Sequence, residues 1–212
     1  KKNIRSLNGI PLIQYTIEAA REVFKDPLIC VSTDSEEIKQ ISEKIGLKVP
    51  FIRPKNLATN TADSRSVLLH AFEYYKNEKN YKADFIILLQ PTSPLRNANH
   101  IKEAFELYNK NIDMVVSVKK TKSNPYFVLF NENKEGFLEK LKKANFTRSQ
   151  DCPDIWEING AIYIINIKSL ICKEINHFKK IKKYEMNEIN SWDIDDIHDF
   201  NYVNYLLENN II

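Results

Sequence analysis

The chain has 212 residues, of which 43% are hydrophobic and 28% are charged. These values are typical of a globular protein and exclude disordered and fibrous classes, and the length predicts one large domain or one domain with a smaller lobe. Lys and Arg number 31 against 28 Asp and Glu, a net charge of +3 that does not indicate a nucleic-acid partner. No apolar run reaches the ~18 to 20 residues that span a bilayer, so no membrane segment is predicted.

The number and spacing of the cysteines and glycines limit the possible classes of protein further. Cys30, Cys152 and Cys172 lie far apart without CxxC spacing, which favours reduced thiols and a cytoplasmic location. The chain has only 4 glycines and no glycine-rich phosphate loop.

Helical and strand-like segments alternate through the first 118 residues. Apolar residues recur at helical spacing in segments 13–24, 38–45, 67–75 and 101–108, and short apolar runs occupy 28–32, 48–53, 85–89 and 114–118. Asp34, with Glu37, is predicted to cap the second helix, and Asp63 or Ser64 the third. The alternation predicts an α/β protein whose sheet is mainly parallel, with helices on both faces.

The alternation breaks after Lys119. Residues 120–184 contain a polar turn at 131–136 and a strand-like run at 161–165, and we interpret them as an inserted lobe whose later part rejoins the main sheet. The predicted domains are therefore 1–119 with 185–212 as the α/β domain, and 120–184 as the lobe. A strand-like stretch at 192–195 and a final helix, capped by Asp196 and Asp199, complete the chain.

An acidic pair near the end of the chain is the first candidate site. Asp193 and Asp195 are two residues apart on a predicted strand, so both side chains leave the same face. Mg²⁺ binds through one or two carboxylates and completes its shell with water and substrate phosphates, which makes this pair a candidate magnesium site. The alternative is that both acids simply face solvent.

Two loops are further candidates. The loop from Gln90 to Arg96 combines two prolines with hydroxyl, amide and guanidinium groups directly after a buried strand, which suits a rigid substrate-binding loop. Its alternative is an ordinary proline-rich turn with Arg96 paired on the surface. The segment 53–64 could bind an anion or a base edge, or be a plain loop before a helix. The four histidines have no metal-ligand spacing, and no nucleophilic triad or elbow is evident.

These motifs occur in an order that resembles the acylneuraminate cytidylyltransferases, the CMP-sialic acid synthetases and their relatives. The string Leu-Gln-Pro-Thr-Ser-Pro-Leu-Arg at 89–96 is the most specific part of the resemblance and favours a sialic or legionaminic type of acid. The other matching segments are 2–5, 9–13, 31–34, 53–54, 57–64, 159–163 and 193–195.

The resemblance implies a Rossmann-like fold with a small inserted dimerisation lobe, and an Mg²⁺-dependent nucleotidyltransferase. Such an enzyme transfers CMP from CTP to the anomeric hydroxyl of a nine-carbon 2-keto sugar acid and releases pyrophosphate. It also implies a homodimer in which residues 120–184 are the dimerisation arm. The implied residues are Asp193 and Asp195 for the metal and catalysis, Arg148 for catalysis, Lys2, Asn3, Arg53, Ala62 and Ser64 for the nucleotide, and Gln90, Thr92, Ser93, Asn159, Gly160 and Tyr163 for the sugar.

The sequence departs from the family pattern at two places. The family opens with a buried strand and an Arg-x-Gly-Ser-Lys loop, so we expect about 15 to 20 residues upstream of Lys1. Asn124 and Phe127 stand where many members have His and Lys, so another cation, from among Lys119, Lys120 and Lys122, is expected to help hold the substrate.

Two alternatives are an enzyme of another type and a protein without catalytic activity. A GT-A type glycosyltransferase also has a Rossmann-like sheet and a metal-binding DxD, although that motif usually lies mid-chain. A non-catalytic relative that lacks the N-terminal phosphate loop is the second alternative.

Overall fold

The computed structural model describes residues 2–59 and 61–211. The helices are α1 (Leu12–Arg21), α2 (Glu36–Lys44), α3 (Ser64–Glu78), α4 (Ala98–Glu106), α5 (Ile167–Cys172) and α6 (Ile197–Glu208). The strands are β1 (Ser6–Leu7), β2 (Ile10–Pro11), β3 (Phe85–Leu89), β4 (Met114–Lys120), β5 (Phe130–Glu132), β6 (Leu138–Lys140), β7 (Trp156–Asn166) and β8 (Ile181–Glu185). Within these described ranges, no helix has the length and apolarity that crossing a membrane requires.

The central sheet has four strands in the order β3-β7-β4-β8. β7 is antiparallel to both β3 and β4, whereas β8 is parallel to β4. The sheet is therefore mixed, which corrects the prediction of a mainly parallel sheet. Within the described residues, no α-helix lies between the end of β4 and the start of β7, only a 3₁₀ turn at Ser149–Asp151. Two neighbouring strands can be parallel only if a crossover, usually a helix, returns the chain to the edge of the sheet where the first strand began. Without that helix, β7 runs beside β4 in the opposite direction.

Helices cover both faces of this sheet, as predicted. On one face Val115 and Ile162 pack with Ala19 of α1 and Ile101 of α4. On the other face Met114, Val116 and Ile165 pack with Leu68 of α3 and Leu170 of α5. The alternation of side chains along β4 and β7 sends successive residues to opposite helical layers, so both strands are apolar throughout their central parts.

Three predicted strands are extended segments without strand pairing. Residues 29–33 and 49–53 are joined by the bond from the Arg53 N–H to the Thr33 carbonyl at 2.8 Å. Residues 192–195 are likewise extended, and the Ile194 N–H donates to the Thr92 carbonyl at 2.8 Å. Val49 and Ile194 are buried and Ile29 and Val31 are half-buried, but Leu28 is exposed, so the apolar pattern predicted burial only in part. Within the described residues these segments form no strand ladder.

Side-chain caps define where several helices begin. The N-cap of α2 is Ser35, whose hydroxyl accepts the Ile38 N–H, so the prediction of Asp34 is wrong by one residue. Asp34 instead forms an ion pair with Arg53 at 3.3 Å. Asp63 caps α3, and Asp196 with Asp199 forms the predicted capping box of α6.

The segment between β4 and β7 is the only part of the 120–184 lobe that stands apart from the sheet in the described structure. Residues 121–155 carry the hairpin β5–β6, whose strand residues are all exposed. β7 and β8 are strands of the central sheet, and α5 packs against it through Leu170.

A histidine in the cap of α4 makes stability depend on pH. The His100 Nδ1 accepts the Asn97 N–H at 3.1 Å, which requires a neutral ring. Burial lowers the pKa of His100; Glu103 raises it and Arg96 lowers it further. The lowered pKa means that the folded state favours the neutral ring. The stabilisation by neutral His100 is therefore complete above the ordinary pKa of 6.5 and is lost as pH falls below it.

We expect the free energy of unfolding to decline more steeply from pH 6.5 to 5.5 in the wild type than in His100→Gln. Glutamine at this position retains a capping acceptor but does not titrate. Urea denaturation at several pH values measures the difference. Parallel curves for the two proteins would contradict the role of His100.

Candidate active site

A cavity of about 460 Å³ opens at the edge of the sheet where β3 ends and β7 begins. The end of β4, the loop 191–196 and the first turn of α6 supply its other walls. Among the predicted residues, it is lined by Gln90, Asn159, Gly160, Tyr163, Asp193 and Asp195. The structure therefore brings the acidic pair and Gln90 into one cleft.

A buried guanidinium, that of Arg96, connects the loop after β3 to the protein interior. Arg96 is 1% exposed, and its Nη2 donates to the Thr16 hydroxyl at 2.7 Å. Burial lowers the pKa of Arg96 to about 10. The alternative of a surface-paired Arg96 is therefore wrong, and the guanidinium packs between α1 and the loop that carries Gln90.

Gly160 lies between Gln90 and Asp193. Its φ is +78°, and a Cβ added there would lie 3.2 Å from Gln90 Oε1 and 3.6 Å from Asp193 Oδ2. Glycine therefore provides both the left-handed backbone and the space in which an amide and a carboxylate approach each other.

A buried polar network fixes the backbone on either side of Gly160. The Ser117 hydroxyl donates to Asn159 Oδ1 at 2.6 Å and accepts the Ile162 N–H at 2.8 Å. Asn159 Nδ2 in turn donates to the Ser191 hydroxyl at 2.8 Å. Because the Asn159 amide is bonded to Ser117 and Ser191, it joins β4 and β7 to the loop 191–196.

The two acids have different environments. Asp193 Oδ1 is buried and has no hydrogen-bond partner in the described part of the chain. Asp195 is 81% exposed and forms an ion pair with Lys2 at 3.4 Å. Burial, followed by the negative charge of Asp193, raises the pKa of Tyr163. An unpaired buried carboxylate is unfavourable unless a cation or donor joins it.

Asp199 supports the loop that carries this pair. Its Oδ2 accepts the N–H groups of Asp195 and Asp196 at 2.9 and 3.1 Å, and its Oδ1 accepts the Trp192 Nε1–H. Burial alone would raise the pKa of Asp199, but these donors outweigh it and lower the pKa. Asp199 therefore remains an acceptor that fixes the loop.

The described residues contain no group of three or more His, Cys, Asp or Glu side chains arranged to hold a metal. Mg²⁺ does not need one, since one or two carboxylates, waters and substrate phosphates complete its shell. The orphaned oxygen of Asp193 and the exposed carboxylate of Asp195 fit that requirement.

A second cavity of about 480 Å³ lies beside the first, and Asp195 lines both. Lys2 lines the second cavity and donates through Nζ to the Ile194 carbonyl at 2.5 Å. Asn3 is half-buried in the same 3₁₀ turn. The N-terminal segment therefore reaches the acidic loop at Ile194 and Asp195.

Several predicted residues line neither cavity. Arg53 is paired with Asp34, Ala62 lies in the turn before α3, and Ser64 is the exposed first residue of that helix. Ser93 is fully buried, and Thr92 contributes its carbonyl to Ile194.

Arg148 lies away from both cavities as well. It is exposed on the 121–155 segment and bonds Asp151 at 2.9 and 3.1 Å. The described chain does not by itself bring this guanidinium to the acidic pair.

The sequence reasoning missed Glu157, Ile158, Trp192 and Ser117. Glu157, Ile158 and Trp192 line the cavity, and Ser117 bonds Asn159, which also lines it. Ser117 carried a usable signal, because a polar residue within a continuous apolar strand indicates a hydrogen-bonded network. Glu157 and Ile158 directly precede Asn159 on the same strand, but no motif distinguished them.

The fold is a mixed α/β architecture with a cleft at one edge of its sheet. The family model described as cytidylyltransferase matches residues 1–212, and the chain belongs to this family. The post-translational flagellin modification protein B of Campylobacter coli is 39% identical over 171 residues, which cover 77% of this chain and 69% of that protein.

Other relatives carry substrate names. The N-acylneuraminate cytidylyltransferase of Streptococcus agalactiae serotype III is 33% identical over 87% of this chain, but the match covers only 44% of that protein. The CMP-N,N'-diacetyllegionaminic acid synthase of Legionella pneumophila is 32% identical over 80% of this chain and 73% of its own length. A pseudaminic acid cytidylyltransferase of Campylobacter jejuni is 34% identical over 77% of this chain and 70% of its own length.

A solved structure shares the fold. A CMP:2-keto-3-deoxy-manno-octonic acid synthetase complexed with CTP superposes with a TM-score of 0.72 over 99% of this chain and 92% of that one. The sequence identity is 15%, so the likeness concerns the fold alone.

Proposed function

We propose that the protein transfers CMP from CTP to the anomeric hydroxyl of a nonulosonic acid. The hydroxyl oxygen forms a bond to the α-phosphorus, the bond from that phosphorus to the bridging oxygen breaks, and pyrophosphate leaves while the hydroxyl proton passes to solvent. The observation that carries the proposal is the meeting of Asp193, Asp195 and Gln90 in one cleft of a cytidylyltransferase chain.

Asp193 and Asp195 would hold Mg²⁺, in keeping with the unpartnered oxygen of Asp193 and the exposure of Asp195. Mg²⁺ bound there would neutralise phosphate charge. Within the chain, Asp199 fixes the backbone of this pair, and Lys2 lies beside Asp195 as a cation for the nucleotide phosphates. Asn3, Arg53, Ala62 and Ser64 complete the proposed nucleotide contacts, and Arg148 the proposed catalytic set.

Gln90, Gly160 and Tyr163 would bind the sugar acid. Gln90 offers a donor and an acceptor beside Gly160, and Tyr163 offers a hydroxyl that stays protonated because burial raises its pKa. Thr92, Ser93 and Asn159 would act by holding this wall in place, since the Thr92 carbonyl accepts the Ile194 N–H, Ser93 is buried and the Asn159 amide bonds Ser117 and Ser191. Fixed donors and acceptors of this kind orient a hydroxyl-rich substrate for in-line attack.

The test is release of pyrophosphate by the full-length protein with CTP and Mg²⁺. N-acetylneuraminic, N,N'-diacetyllegionaminic and pseudaminic acids form the panel, with UTP and EDTA as controls. We expect release with CTP and at least one acid, and none after EDTA. Binding of CTP without pyrophosphate release would contradict the proposal, consumption of a finished sugar nucleotide would indicate a glycosyltransferase, and no CTP binding in calorimetry would indicate a non-catalytic relative.

We also propose that the hairpin segment 121–155 pairs with a second copy of the chain. Phe137 and Leu138 are 66% and 69% exposed, and Val128, Phe130 and Leu141 are also exposed on this segment. Exposed apolar side chains at this density are typical of a protein interface. We expect Leu138→Glu to halve the mass that light scattering measures, whereas Leu28→Glu, at an exposed position elsewhere, should not. A monomeric wild type would contradict the pairing.

A further inference from the structure

The cavity that holds Gln90 and the acidic pair is strongly acidic. Glu157, Asp193, Asp195 and Asp199 all line it, and Lys119 is the one cation among the described residues that do so. A carboxylate entering this cavity would meet repulsion from the acids, because like charges at short range raise each other's free energy. An anionic ligand therefore needs a counter-charge, and the chain supplies one on the β4 wall.

Three neighbouring lysines were candidates for this role, and their geometry separates them. Lys119 and Lys120 are consecutive on β4, so the pleat directs their side chains to opposite faces. Lys120 forms an ion pair with Asp154 at 2.6 Å and lines neither of the two cavities. Lys122 lies beyond the strand and is paired with Glu188 at 2.7 Å.

The ion pair of Lys119 is looser than those of its neighbours. Its Nζ lies 3.4 Å from Glu157 Oε1, and the two side chains are 31% and 49% exposed. Charge-assisted N–H···O bonds are typically about 2.7 to 2.9 Å long, so this contact is weak. An incoming carboxylate could replace Glu157 with little loss of interaction energy within the protein.

We propose that the Lys119 ammonium binds the carboxylate of the sugar acid. It would exchange its contact with Glu157 for a shorter charge-assisted bond to the substrate and fix the acid in the cleft next to Gln90. This inference rests on the proposed function, since it takes the substrate to be a nonulosonic acid. CTP phosphate is the other anion that Lys119 could bind. Measuring the KM for each substrate distinguishes a contact with the sugar acid from a contact with CTP.

The test compares Lys119→Gln with Lys120→Gln in steady-state kinetics, using whichever of the three panel acids the wild type turns over. In Lys119→Gln we expect the KM for the sugar acid to rise at least about tenfold, the size of one lost charge-assisted bond. The KM for CTP should change less than about twofold, and Lys120→Gln should leave both constants unchanged. Lys119→Arg keeps the charge and should recover most of the affinity.

The methyl ester of the same acid gives an independent readout. Esterification should weaken binding by the wild type, whereas Lys119→Gln should bind acid and ester about equally. An unchanged KM for the acid in Lys119→Gln, or a rise in the KM for CTP instead, would overturn the role of Lys119 while leaving the proposed function standing. A wild type that turns over none of the three acids would overturn both.

Discussion

Asp193→Asn is expected to lower kcat by about 10²- to 10³-fold without loss of the fold. Asp193 is half-buried, and its Oδ1 is buried without a partner among the described residues, so the carboxylate loses part of its hydration on folding. Asparagine has nearly the same shape but no charge. The variant should therefore unfold at the same or a higher temperature than the wild type, because function and stability make opposite demands at this position.

Asp195→Asn should also remove nearly all turnover, but with little change in stability, because Asp195 is exposed. Asp196→Asn is the matched control: it removes the same charge one residue away, and asparagine still caps α6. Pyrophosphate release and thermal unfolding measure the three variants. Retained turnover in Asp193→Asn, or an equal loss in Asp196→Asn, would refute the assignment of the pair.

The parts of the fold that were predicted correctly are those that depend on the spacing of residues close together in the sequence. The apolar runs of β3 and β4 and the capping box of α6 follow from residue spacing and are confirmed. The direction of β7 depends instead on how residues 121–155 return the chain to the sheet. The strand pairing expected at 28–32 and 48–53 depends on neighbouring strands, which periodicity does not reveal.

The parts of the candidate site that could be predicted are those in which the spacing of residues within a motif fixes where the side chains lie. The acidic pair and Gln90 converge because both follow elements that end at the same edge of the sheet. Arg96 illustrates the limit, since its burial against Thr16 arises from a contact between residues 80 positions apart. The same holds for Ser117 and Asn159, whose bond joins two strands that are distant in sequence.

Gly160→Ala is expected to impair both stability and activity. A non-glycine residue at φ +78° costs roughly 1–2 kcal/mol in backbone strain. In addition, the new Cβ would lie 3.2 Å from Gln90 Oε1, tighter than ordinary van der Waals contact, so the glutamine amide must move. Because small displacements of a positioning group have large kinetic effects, kcat/KM for the sugar acid should fall about 10- to 100-fold.

Gly9→Ala separates strain from crowding. Gly9 has a φ of +86°, and a Cβ there would meet nothing within 4 Å. Both variants should lose a similar free energy of unfolding in urea denaturation, but only Gly160→Ala should lose activity when both are assayed well below their unfolding temperatures. If the two variants lost activity equally, the effect would come from general destabilisation. The close approach of Gln90 and Asp193 across Gly160 would then have no part in catalysis.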